Sequence, residues 1–280
     1  KQLKKQKERG INMREKIIEK LIERGYNASA IDTVKNGVVW HGIVIKEENK
    51  SMAPVIYLDD LDGQHDLEES VSYVIAVYEK HRDFQFDVNL LKDKEFIMKR
   101  IYIGMQKSSS EPLEKRESFL NGIEEYLFID VSDGVIKVRK NLLNMDMHEV
   151  WEQALRNTIE NSEIESIQEV LKEVFFDTGL EDELNEGLKL HPMFVISNYK
   201  KRYGASAILN RRLLKKIAVQ YNTSKVLILP SSVHEMIVIP YNENMDINDF
   251  SETVHEVNSC TVAEEEQLTD RAYILKVLDV

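Results

Sequence analysis

Residues 226–240 (VLILPSSVHEMIVIP) set Ser231, Ser232, His234 and Glu235 between two apolar runs. A hydroxyl, an imidazole and a carboxylate are the parts of a nucleophilic hydrolase. That chemistry needs the hydroxyl within hydrogen-bond reach of the base, and a third group orienting the base. In extended chain Ser232 and His234 share a face while Glu235 turns away, so these residues alone form no triad. The Gly-x-Ser-x-Gly elbow is absent, since Gly204-Ala-Ser-Ala-Ile lacks its second glycine. The plainer expectation is a Pro-Ser-Ser turn whose hydroxyls cap backbone groups, with His234 and Glu235 at the end of a sheet.

Other chemistry-bearing patterns are incomplete. His-Glu occurs at His148-Glu149, His234-Glu235 and His255-Glu256, never followed by x-x-His, so the zincin spacing is missing. A metal site joining His234 to His255 would have to be assembled by the fold. Asp60, Asp62, Gly63 and Glu69 match positions of a calcium loop, but its first position falls on Leu58, so an acidic turn is expected, with Glu69 engaged at a helix start. Neither Gly-x-Gly-x-x-Gly nor Gly-x-x-x-x-Gly-Lys occurs. The concentrated basic patch is Tyr199, Lys200, Lys201, Arg202 and Tyr203 with Arg211, Arg212, Lys215 and Lys216. It reads as a solvated loop and helix face, or as a site for an anion or acidic partner, including the chain's own segment 160–190.

The bulk composition narrows the classes. The 280 residues are 42% hydrophobic and 31% charged, with net charge −12. Between Arg156 and Lys189 there are ten Asp/Glu against three Lys/Arg. Such a chain repels phosphate backbones, so no nucleic-acid partner is expected. Cys260 is the lone cysteine, which excludes an intrachain disulfide and fits a cytoplasmic location. No stretch approaches the ~20 apolar residues of a membrane span. Residues 1–12 carry five basic residues and one acid. They read as a disordered or helical basic tail, or as translated leader ahead of an initiator at Met13, because Lys7-Glu-Arg-Gly10 can be written in purine-only codons.

The elements that must position these residues follow from periodicity. Residues 13–24 form an amphipathic helix stopped by Gly25. Asn36-Gly37 is a turn, 37–46 a strand, and 53–58 its return. Asp66 with Glu69 opens a helix through a capping-box-like pair. Residues 96–105 fit strand or helix, and 108–112 (SSSEP) is the hinge candidate. A hairpin spans 125–139, turning at 132–134. Helices are expected at 146–160, 162–175, 206–221 and 246–257, and strands at 193–196, 226–229, 236–239 and 272–278. Trp40 and Trp151 fall in apolar patterns, as core residues do. Strands arriving as hairpins argue for α+β, with a mixed, mostly antiparallel sheet and flanking amphipathic helices.

At 36–46 (NGVVWHGIVIK), 53–61 (APVIYLDDL), 67–69, 193–210 (MFVISNYKKRYGASAILN), 226–240 and 256–275 (EVNSCTVAEEEQLTDRAYIL), the chain resembles a bacterial family, domain of unknown function 5688. The order of its C-terminal elements is similar, more distantly, to domain of unknown function 1444. Neither resemblance implies an activity. Asn198, Tyr203 and Asn210 in the resembling segment join Ser231, Ser232, His234 and Glu235 as candidate binding residues. The expectation is one α+β module over 13–280, with sub-lobes 13–107 and 113–280 if the hinge divides it. Its expected function is non-enzymatic binding or regulation, with a protein or small molecule as partner and no cofactor or metal. A hydrolase built around His234 is the alternative.

Overall fold

Asn36 and Gly37 carry φ of 50° and 81°, the two positive values that a two-residue type I′ turn requires. They join β1 (Ala28–Lys35) to β2 (Val38–Ile45) in register Lys35↔Val38. The computed structural model describes residues 2–48, 50, 52–58, 66–84, 86–131, 134–167 and 192–278. It divides into two compact units, 1–88 and 89–280.

The first unit holds α1 (Gln2–Glu23), β1, β2, β3 (Val55–Tyr57) and α2 (Leu67–His81). Its sheet runs β1-β2-β3, antiparallel throughout. Residues 2–12 have helical backbone continuous with 13–23. Asp66 caps α2 as its spacing predicts: it accepts from Glu69 N–H at 2.8 Å, and its own N–H donates to Glu69 Oε2 at 3.0 Å. Ile17 and Leu21 of α1 meet Ile43, Ile45 and Ile56 of the sheet and Val71, Val74 and Tyr78 of α2. Asp60, Asp62 and Gly63 lie outside the described residues.

The second unit contains two sheets. In the first, β6 (Ile123–Asp130) pairs with β4 (Ile101–Lys107) along one edge. Along the other it pairs with β5 (Lys115–Glu117) and then β7 (Val135–Lys137). All pairs are antiparallel. The expected hairpin over 125–139 is thus β6–β7. Because β4 and β6 pair across residues 108–112, that loop is not a hinge between lobes, and the boundary between units falls at 88/89 instead. The ambiguous stretch 96–105 is both things in turn. Helix α3 (Lys94–Arg100) is capped by Asp93, and β4 begins at Ile101.

The second sheet runs β12-β10-β11-β9-β8, also antiparallel. Its strands are β8 (Ser162–Ser166), β9 (Phe194–Asn198), β10 (Lys225–Leu229), β11 (Met236–Pro240) and β12 (Tyr273–Lys276). The predicted hairpin 226–239 lies at its centre, with Val226↔Pro240 and Leu229↔Ile237 in register. Alternate residues of β10 serve opposite faces. Val226 and Ile228 pack with Leu214, Ile217 and Ala218 of α5 (Arg211–Gln220). Leu227 and Leu229 pack with Val254 of α6 (Ile247–Cys260). A strand covered on both sides must be apolar at every position, which is why β10 reads as a continuous run.

Two expected helices differ. Residues 162–166 are strand β8, because Ser-Glu-Ile-Glu-Ser alternates and turns Ile164 to the core opposite Ile196. Residues 168–175 of that helix lie outside the described residues. The helix at 206–221 is interrupted at Asn210. A 3-10 segment (Ala205–Leu209) precedes it, and Asn210 Oδ1 caps α5 by accepting from Arg212 N–H at 3.2 Å. The helix over 146–160 is α4 (Met147–Glu160) with Asp146 as its cap. Trp40 and Trp151 are only partly buried. Trp40 lies edge-on to Tyr57 at 5.4 Å, and Trp151 lies under the Arg116 guanidinium at 4.2 Å.

Strand alternation leaves the four-stranded sheet a second face that is not simply core. Ile101, Ile103, Leu127 and Ile129 pack with Val150 and Ala154 of α4. The opposite face carries Tyr102, Gln106, Glu124, Tyr126, Phe128 and Asp130. Buried Glu124 accepts from Gln106 Nε2 and Ser109 Oγ at 2.8 Å each and from Lys115 Nζ at 2.9 Å. Burial pushes its carboxyl up, but the donors Gln106, Lys115 and Ser109 outweigh that and hold it below the ordinary 4.5. A folded-state value below the unfolded one gives stability that is full above the unfolded pKa and lost as pH falls through the folded one. Glu124→Gln is therefore expected to flatten the acid limb of the stability–pH curve below pH ~4.5. Urea denaturation of both proteins from neutral to acid pH checks this. A variant whose acid limb matches the parent's would show that Glu124 is not a linked group.

Candidate functional site

The turn between β10 and β11 is built by its own polar residues. Ser232 N–H donates to the Glu235 carbonyl at 3.1 Å, and Ser232 Oγ accepts from His234 N–H at 3.1 Å. The serine hydroxyl thus caps backbone and does not engage the imidazole. His234 Nδ1 accepts from Tyr203 N–H at 3.0 Å. An accepting Nδ1 places the ring proton on Nε2, which faces Glu266 Oε1 at 3.2 Å. The His234 carbonyl accepts from Ser197 Oγ at 2.8 Å and from Gly204 N–H at 3.0 Å. The two Ser232 bonds close the turn on itself, and the His234 bonds to Tyr203, Glu266, Ser197 and Gly204 tie it to neighbouring segments.

The main beneficiary is the loop 198–204. Asn198 closes it from inside: its Oδ1 accepts from Lys200 N–H at 3.1 Å and Arg202 N–H at 3.3 Å, and its Nδ2 donates to the Arg202 carbonyl at 2.9 Å. Lys201 and Tyr203 sit at positive φ, 49° and 54°. Non-glycine residues rarely adopt that conformation, so something outside the loop must hold it. His234 is that support, through the Tyr203 N–H bond and through ring contact at 5.3 Å. His234→Ala should leave the Tyr203 N–H without its acceptor and cost ~1–2 kcal/mol, the range for losing one hydrogen-bond partner at a partly buried site. Chemical denaturation measures it. A variant as stable as the parent would free His234 for a direct binding role.

What the loop lines is a small open cleft. The loop supplies Asn198, Tyr199, Lys200 and Arg202; the four-stranded sheet supplies Tyr102, Phe128, Asp130 and Val135; Asn161, at the end of α4, completes it. Tyr102 and Phe128 are cross-strand partners whose rings stack at 5.8 Å and 27°. Phe128 also touches Tyr203 at 5.8 Å, so the aromatic wall is continuous with the residue that His234 anchors. Lys200 pairs with Asp130, and that bond raises the Lys200 pKa. Tyr102 is pushed up by burial first and then by nearby Tyr199 and Asp130, so its hydroxyl stays protonated.

Two cations of the basic patch are paired within the chain. Lys200 faces Asp130, and Lys201 faces Glu165 at 2.8 Å and Glu163 at 3.9 Å. The acidic-segment alternative thus applies to Lys201. Arg202 stays exposed, its guanidinium 5.7 Å from the Tyr203 ring, with no ion pair among the described residues. Of the sequence candidates, Ser232, His234, Asn198 and Tyr203 come together. Asn210 does not: it caps α5 and donates to Ser162 Oγ at 2.7 Å. Ser231 and Glu235 flank the turn without lining the cleft. His255 faces Asp270 at 3.3 Å, a different partner from that of His234. Among the described residues no three His, Cys, Asp or Glu converge as a metal set. Tyr102, Phe128 and Asp130 were missed from sequence. Their signal was the alternation of aromatic and polar residues against Ile101, Ile103, Leu127 and Ile129.

A family model, described as a family of unknown function (DUF5688), matches residues 129–276, more than half of the chain. The chain belongs to DUF5688. The DUF5688 match starts at the end of β6 and finishes with β12, so it spans the loop 198–204, His234 and Glu266. Tyr102 and Phe128 precede it, as do the resembling segments 36–46 and 53–61. No curated protein and no solved structure was found to match the chain. Among the described residues no helix is long and apolar enough to cross a membrane.

Proposed function

We propose that this DUF5688 chain is a non-enzymatic binding module whose small-molecule ligand sits in the cleft between the loop 198–204 and the four-stranded sheet. The observation that carries this reading is the division of labour around His234. The residues that could do acid–base chemistry are used to fix a strained loop, and that loop presents a concavity lined by aromatic rings together with polar and charged side chains. Binding sites have this form, a rigid scaffold holding an irregular loop over a hollow. Against a hydrolase stands the geometry of the turn. Ser232 Oγ is bonded to backbone, and Nδ1 of His234 is occupied by Tyr203 N–H.

The test is a chemically diverse fragment set run against isotope-labelled full-length protein, with amide shifts read by residue. Binders are expected to move Tyr102 and residues 199–203 together. If the fragments that bind leave those amides untouched, or none binds at all, the cleft is not a ligand site. Hydrolysis of generic ester substrates that is lost in Ser232→Ala would favour the catalytic alternative.

A further inference from the structure

The lining of the cleft has a charge count as well as a shape. Lys200 and Asp130 neutralise each other. Arg202 is then the one lining cation without an ion-pair partner among the described residues, so the described lining residues carry a single net positive charge within a chain of net charge −12. The occupant that fits is a monoanion. A guanidinium presents two parallel N–H donors, a fork that matches a carboxylate in bidentate geometry.

The wall selects shape. Tyr102 is the partly exposed ring of the cleft; it stacks on buried Phe128 at 27° and, with Val135, gives the cleft an apolar surface. A planar ring lies against such a surface in offset stacking, where a puckered ring touches it at fewer points. The protonated Tyr102 hydroxyl lines the same space and offers a donor to an anion. Resting on the binding-module reading, we infer that the cleft takes a small aromatic carboxylate, its ring on Tyr102 and its carboxylate on the Arg202 guanidinium. The Arg202 backbone N–H and carbonyl close the loop on Asn198, and its exposed guanidinium has the Tyr203 ring beside it, with no ion pair among the described residues.

Four probes separate the parts of the claim when titrated into labelled full-length protein: benzoate, its neutral isostere benzamide, the puckered cyclohexanecarboxylate, and inorganic phosphate. Benzoate is expected to shift residues 199–203 saturably and to bind at least tenfold more tightly than each of the other three. Arg202→Gln should weaken benzoate at least tenfold, leave benzamide unchanged and leave the melting temperature where it was. Tyr102→Leu should weaken benzoate and benzamide together. Benzamide binding as tightly as benzoate, or Arg202→Gln without effect on benzoate, overturns the assignment of the anion. Cyclohexanecarboxylate equal to benzoate overturns the planar wall, and phosphate equal to benzoate reduces the site to a simple anion subsite. If none of the four moves the cleft amides while other fragments do, the aromatic-carboxylate inference fails and the binding-module reading survives. If nothing moves them, both fail.

Discussion

Ile228→Asp is expected to unfold the second unit. Ile228 lies in the central strand β10, has no exposed surface, and packs with the residues of α5 and β11. Losing its buried side chain alone would cost roughly 2–5 kcal/mol by analogy with large-to-small core substitutions. The aspartate adds an unpaired charge in an apolar layer, which costs several kcal/mol more. Together these reach the ~5–15 kcal/mol that holds a typical domain folded. The expected result is insoluble protein, or soluble protein without a cooperative thermal transition. The conservative Ile228→Val should cost only ~1 kcal/mol and remain folded. A soluble, native-like Ile228→Asp protein would mean that the strand is not enclosed.

Gly204→Ala is expected to have the largest effect of any single methyl addition in the loop. A Cβ there would lie 2.3 Å from Ser197 Oγ, 2.6 Å from Asn198 N and 2.8 Å from the His234 carbonyl oxygen. Two of those atoms are backbone, one in the loop and one in the turn, so neither can rotate away. The φ of Gly204 is −93°, which any residue tolerates, so the constraint is space and not conformation. Separating the turn from the loop also stretches the Gly204 N–H bond to His234 and the Tyr203 bond beside it. Overpacking of this kind costs about 3 kcal/mol, which is a fall of roughly 6–12 °C in melting temperature for a unit of this size. Calorimetry reads it directly, and the same variant should lose the ligand-induced shifts of residues 199–203. An unchanged melting temperature would mean that turn and loop are not locked together as described.

The local sequence determined what local physics controls. The Asn36-Gly37 turn, the Asp66 capping box, the buried hairpin of β10 and β11 and the antiparallel α+β character each depend on residues a few positions apart. Propensity and pattern suffice there. Strand β8 and the interruption at Asn210 were harder, because each depends on a distant partner. Ser-Glu-Ile-Glu-Ser is a strand once Ile164 has Ile196 opposite it, and Asn210 caps a helix while reaching Ser162. The supposed hinge at 108–112 had loop composition, but only the pairing of β4 with β6 shows that it lies within one unit. The site divides in the same way. His234, Ser232, Asn198, Tyr203 and Arg202 could be picked out from residue type and position. That His234 supports a loop, that Lys200 and Lys201 are neutralised, and that Tyr102 and Arg202 line one cleft were decided by tertiary structure. Those facts rest on contacts between residues tens of positions apart, and no local pattern encodes which distant side chain will occupy a given donor.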